Sequence, residues 1–142
     1  MDQRLNSSWW GLRIALGAAP FLAGLDKFFN LLTNWPMSLN PLVLRVIPVA
    51  PGTFMRAVGV VEMIVGIAIL TRWTRLGAHV AAAWLVGIAL NLLTMGTFFD
   101  VAVRDLLIAV AAFSLARLTE VREGAVASSF TPRQELVRPN AA

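Results

Sequence analysis

The chain has 142 residues, of which 58% are hydrophobic and 14% charged, with a net charge of +4 and a mean hydropathy of +0.71. About a quarter of the residues of a soluble domain are charged, so these charges are too few to clothe a globule. No cysteine and a single histidine exclude disulfides, thiolate metal sites, thiol exchange by the chain itself, and a bis-histidine haem or conventional zinc site within one protomer.

The apolar residues gather in long blocks, and four of them, 9–32, 52–70, 76–95 and 101–118, reach the roughly 20 residues that cross a bilayer core. Helix is the default for each, because an isolated strand leaves its backbone groups unsatisfied in lipid. The first block is too long for a signal-peptide core and lacks a small-x-small cleavage site, so it reads as a retained span. Residues 33–51 follow as a longer connection with Pro36, Pro41, Pro48 and Pro51, apolar around Arg45 and suited to the membrane interface. Tight turns at 71–75 and 96–100 join the remaining spans. From Thr119 onward the chain is polar, with Pro132 and Pro139. The expected organisation is an all-α transmembrane four-helix bundle over 1–120, with a longer loop between helices 1 and 2, and a polar, disordered cytoplasmic tail over 121–142.

Four spans bring both termini to one side. That side holds Arg4, Arg13, Arg72, Arg75, Arg117 and Arg122, with Arg133 and Arg138 further out. The other side holds Lys27, Arg45, Arg56 and Arg104, and only Arg45 lies in a loop. The bias makes both termini cytoplasmic, and it explains the basic balance by orientation rather than by nucleic acid. Trp9, Trp10, Trp35 and Trp73 fall at span ends, where indole rings anchor to headgroups. Trp84 reads as core, His79 as interfacial, and Arg13 as snorkelling to the near edge.

Charged and polar groups within the spans share a depth. Asp26 and Lys27 end the first span, and Arg56 and Glu62 lie in the second. Asn91 lies in the outer half of the third, and Asp100, Arg104 and Asp105 open the fourth. Intramembrane charges are costly and turn inward. Helical spacing places Arg13, Gly17, Pro20, Gly24 and Lys27 on one stripe. Arg56, Gly59, Glu62 and Gly66 form a second, and Ala83, Gly87 and Asn91 a third. Small residues on such stripes let helices approach closely. Lys27, Arg56, Glu62, Asn91, Arg104 and Asp105 are therefore the candidate site. They form either a polar pocket that binds a headgroup or relays protons, or an ion-paired clasp that fixes helix register.

Arg13, the Gly24-x-x-Lys27 element, Gly59 with Glu62 and Gly66, and the Arg104–Asp105 pair together resemble the DoxX-like family of small bacterial four-helix membrane proteins. The resemblance covers 9–118. It implies a bacterial inner-membrane location and a link to redox systems, since a thiosulfate:quinone oxidoreductase subunit and membrane anchors for oxidant-defence enzymes are similar. A quinone would suit the pocket, with Lys27, Glu62 and Arg104 able to meet its head; a lipid headgroup is the alternative ligand, and an oxidoreductase is a candidate partner. The expected function is an accessory or anchoring subunit. The alternatives are a quinone-reducing subunit with Glu62 as proton carrier, or a small transporter or channel component working as a homo-oligomer. Whether the chain itself turns over a substrate stays open.

Overall fold

A computed structural model describes residues 3–46 and 48–130 of the chain. It is all-helical among the described residues: α1 is Gln3–Asp26, α2 Pro41–Val46, α3 Pro51–Leu70, α4 Thr74–Met95 and α5 Phe99–Phe130. A single 3-10 turn, Trp35–Ser38, interrupts the connection between α1 and α2. The four long helices run up and down. α1 packs along α3 and α4 along α5, with lighter contacts of α3 on α4 and α1 on α5.

α1 runs from Gln3 to Asp26, about one and a half turns earlier than the block at 9–32 suggests. Its end is set by chemistry rather than hydropathy. Asn30 adopts a left-handed conformation, φ 52°, which asparagine tolerates better than most residues. The Asp26 carboxylate then accepts the backbone N–H groups of Leu31 and Leu32, at 2.9 and 3.1 Å. A local acceptor of this kind competes with helix continuation. At the other end, Ser7 and Ser8 turn their hydroxyls back onto the Arg4 carbonyl.

α3 begins at Pro51, whose missing N–H costs nothing at a first helical position. α4 ends at Gly96 with φ +68°, the left-handed cap that glycine supplies without penalty. α5 continues to Phe130, so the stretch 119–130, which hydropathy assigns to a polar tail, is helical. Ion pairs of Arg75 with Glu120 and Glu123, and of Arg117 with Glu120, accompany that extension. Residues 131–142 lie outside the described residues.

The apolar core occupies the end of the bundle that holds the α1 N-terminus. There all four long helices meet around Ile69 and Leu115, both fully buried, with Leu16, Val65, Ala78, Ala81, Ala112 and Ala116. Towards the other end the bundle divides into an α1–α3 seam and an α4–α5 seam of Ala89, Leu92 and Ala102. The α4 stripe expected at Ala83, Gly87 and Asn91 does not make these contacts. Ala83 and Gly87 are exposed, and a Cβ at Gly87 would meet nothing within 4 Å. The packed face of α4 is Thr74, Gly77, Ala78, Ala81, Ala89 and Leu92; Thr74 and Gly77 meet Ile69 of α3, and Ala89 and Leu92 cluster with Ala102 of α5. Trp84 is likewise exposed, not core.

α3 and α4 are each long and apolar enough to cross a membrane, and only 28% of each apolar stretch is buried inside the chain.

Candidate functional site

The α1–α3 seam is built on glycine. A Cβ on Gly24 would stand 2.4 Å from the Gly59 carbonyl oxygen, and one on Gly59 would stand 2.5 Å from that of Gly24. Seven residues away on each helix the pattern recurs, with a Cβ on Gly66 falling 2.6 Å from the Gly17 carbonyl oxygen. Two turns separate the crossings, so both lie on one face of each antiparallel helix. The glycines of the stripes read from the sequence on α1 and α3 therefore lie on the packed faces, while Arg56 of the α3 stripe does not.

Below the Gly17–Gly66 crossing the seam ends on Arg13. Its Nε donates to the Ile69 carbonyl at 3.0 Å, and its Nη2 donates to the carbonyls of Leu70, at 2.7 Å, and Thr71. Thr74 Oγ1 donates to Ile69 and Thr71, and Thr71 supplies its N–H to Ile67 and its hydroxyl to Ala68. The last carbonyls of α3, which a helix leaves without internal partners, are thus each satisfied. Arg13 caps a helix and does not snorkel. Trp9, expected as a headgroup anchor, is buried instead, and its indole N–H donates to Thr119 Oγ1 at 2.8 Å.

Above the Gly24–Gly59 crossing lies the candidate site. Lys27 Nζ is 2.6 Å from Glu62 Oε2, and both side chains are buried. The absence of a Cβ on Gly59 makes this possible, because one there would lie 3.1 Å from the Lys27 Cβ. Trp35 roofs the pair, with Lys27 Nζ 3.7 Å from its ring centroid. That ring is itself held by Asp26, whose Oδ2 accepts the indole N–H at 2.7 Å. A buried ammonium between a carboxylate and an aromatic face is stabilised on both sides. The helix end at Asp26, the placing of Trp35 and the shielding of Lys27 are one construction.

The remaining expected members separate. Asp105 is buried on α5 and lies close enough to Lys27 to feel its charge. Arg104 does not join it inside: its side chain is 65% exposed and meets Asp105 only at 3.5 Å. Arg56 is exposed. Asn91 is half-buried and its amide reaches only the Met95 sulfur, one turn along the same helix, at 3.9 Å. The site is therefore Lys27, Glu62 and Asp105, with Asp26 and Trp35 added. Shared depth points to Asp26, whereas Trp35 is expected as a headgroup anchor, because a proline-rich loop gives no register from which to place a side chain. Asn40 closes the loop over this end, donating to Thr94 Oγ1 at 3.2 Å while its carbonyl accepts the Leu42 N–H. Among the described residues no group of three or more acidic or histidine side chains is placed to hold a metal ion.

These placements predict unequal effects. Arg104→Ala should leave the thermal midpoint in detergent almost unchanged, since exposed ion pairs contribute about 0–1 kcal/mol. Asp105→Ala should lower it measurably. Equal losses from the two variants would show that Arg104 is an inward partner after all.

No family model, curated protein or solved structure matches the chain.

Proposed function

We propose that the chain is a four-span integral membrane protein of the bacterial inner membrane. In this reading it serves a quinone-linked redox system as an accessory or anchoring subunit and receives a quinone-like head at Lys27, Glu62 and Asp105. The embedding is supported by the outer surface. Beyond α3 and α4, α1 exposes Ile14 and Leu22, and α5 exposes Val103, Leu107, Val110 and Phe113. Contiguous apolar surface on every long helix suits lipid and not water. Arginine at the end with the α1 N-terminus supports cytoplasmic termini.

The observation that carries the ligand reading is the state of Lys27. An ammonium has three N–H donors. Among the described residues one is used in a hydrogen bond, to Glu62, while the Trp35 ring covers another side of the group. The carbonyl of a polar ring head could accept from the third, stack against Trp35, and leave its apolar tail between helices. Glu62 holds that cation in a buried pair, and Asp105 is a second buried carboxylate on α5. The resemblance to DoxX-like proteins points to the same ligand class.

A short-chain quinone titrated into the detergent-solubilised protein should quench tryptophan emission saturably, and Trp35→Phe should remove most of that change. Glu62→Gln, which keeps the shape of the side chain, should weaken binding by about tenfold, equivalent to about 1.4 kcal/mol. No saturable quenching, or quenching indifferent to Trp35, would defeat the ligand reading. Recovery of the chain without any redox-cofactor protein under mild extraction would count against the accessory role.

A further inference from the structure

We infer a second, unrelated site at the end of the bundle that holds the α1 N-terminus: an arginine groove that binds a phosphate group, supplied by an anionic phospholipid headgroup or by a free phosphate. A cavity of about 420 Å³ opens there, lined by Trp9, Arg13, Arg72, Thr74, Thr119 and Arg122, with Glu123 at its edge. Two guanidinium groups lie against the same indole. Arg122 is 4.0 Å and Arg13 4.9 Å from the Trp9 ring centroid. The two are close enough to feel each other's positive charge. Holding like charges together opposes folding unless something negative lies between or beside them.

Among the described residues the neighbouring carboxylates pair with other arginines. Glu120 is engaged by Arg75 and Arg117, and Glu123 by Arg75 at 3.8 Å. Arg13 has given its Nε and Nη2 hydrogens to the α3 carbonyls. Arg122 Nη1, by contrast, is buried and has no hydrogen-bond partner. Among the described residues it is the only buried side-chain nitrogen or oxygen in that state. A buried N–H left without an acceptor is costly and rare, so an unpaired one marks a place where an acceptor belongs. Guanidinium groups match phosphate oxygens in geometry as well as charge.

The lipid source rests on the membrane reading proposed above, in which this groove lies at the level of the inner headgroups, where basic side chains attract anionic lipid. The free-phosphate source needs no membrane. The two are separable in one experiment on the full chain in zwitterionic detergent, following thermal unfolding with phosphatidylglycerol, phosphatidylcholine or inorganic phosphate added. Phosphatidylglycerol should raise the midpoint by several degrees and phosphatidylcholine should not. Arg122→Gln should abolish the rise, whereas Arg45→Gln, the same loss of charge in the connection at the other end, should keep it. A rise with millimolar inorganic phosphate as well, lost in Arg122→Gln, assigns the site to free phosphate. A rise confined to the lipid assigns it to the headgroup.

Equal responses of the wild type and Arg122→Gln, or no response to either phosphate source, would overturn the proposal. Should Arg122→Gln fail to fold, native mass spectrometry of the wild-type protein decides instead. Retention of phosphatidylglycerol over phosphatidylcholine by roughly tenfold at equal mole ratio supports the site, and equal retention overturns it. Neither result depends on whether a quinone binds at Lys27.

Discussion

Lys27→Met should destabilise the folded chain more than any other single charge removal. It leaves Glu62 buried without the one ion-pair partner it has among the described residues. Breaking a buried pair from one side costs about 3–5 kcal/mol in soluble proteins, because the abandoned charge keeps its desolvation penalty and loses its compensation. Polar contacts between helices in lipid average about 0.6 kcal/mol, so for a pair held in a membrane a loss of about 1 kcal/mol is the lower expectation. Glu62→Leu should act similarly from the other side, removing the carboxylate to which the Lys27 ammonium is hydrogen-bonded.

The informative comparison is the double variant Lys27→Met with Glu62→Leu. If the pair is a clasp whose members matter chiefly to each other, removing both should recover much of what either single change loses. Replacing a buried pair with apolar groups of similar volume is often neutral. The cycle would be read from thermal or denaturant midpoints in one detergent. Additive losses would mean that each charge has other partners of equal weight, and the clasp would have to be given up. A quinone-binding measurement on the same double variant separates the two roles of the pair. A chain that regains stability but binds no quinone shows that these charges are present for a ligand.

The legible part of this fold was what depends on spacing alone. Glycines seven residues apart, with Lys27 and Glu62 three residues beyond Gly24 and Gly59, marked the contact faces of α1 and α3 and the level at which that pair meets. On α4 the same reasoning chose Ala83, Gly87 and Asn91, while the packed face carries Gly77, Ala78, Ala81 and Ala89. Two sets of small residues lie on that helix, and spacing cannot say which one a partner covers. The deciding signal was on the partners: Gly77 meets Ile69 and Ala68 of α3, and Ala89 clusters with Ala102 of α5. Arg104 and Asp105 are neighbours in sequence, so on a helix they point about 100° apart, and one turning inward sends the other outward. The capping role of Arg13 was hidden because it depends on carbonyls more than 50 residues away. α1 ended early because a carboxylate can take over backbone donors that hydropathy ignores.

Gly24→Leu should be the most damaging substitution that changes no charge. The new side chain has nowhere to go: even its first carbon would stand 2.4 Å from the Gly59 carbonyl oxygen and 3.0 Å from the Met63 backbone nitrogen. These are backbone atoms of a helix, and they can yield only if α1 and α3 separate along their length. Separation would pull Lys27 away from Glu62, since the pair closes across the same crossing at 2.6 Å. It would also pull Arg13 from the α3 carbonyls at the far end of the seam. Overpacking by itself costs about 1–3 kcal/mol. The coupled loss of a buried ion pair and a helix cap adds to that, and together they approach the whole stability of a small domain, about 5–15 kcal/mol. The expected outcome is a chain that folds poorly or elutes as aggregate, with Gly24→Ala intermediate and Gly87→Leu nearly silent, because a Cβ there would meet nothing within 4 Å. A monodisperse Gly24→Leu protein with an unchanged midpoint would mean that α1 and α3 do not touch there, and the site built above that crossing would lose its foundation.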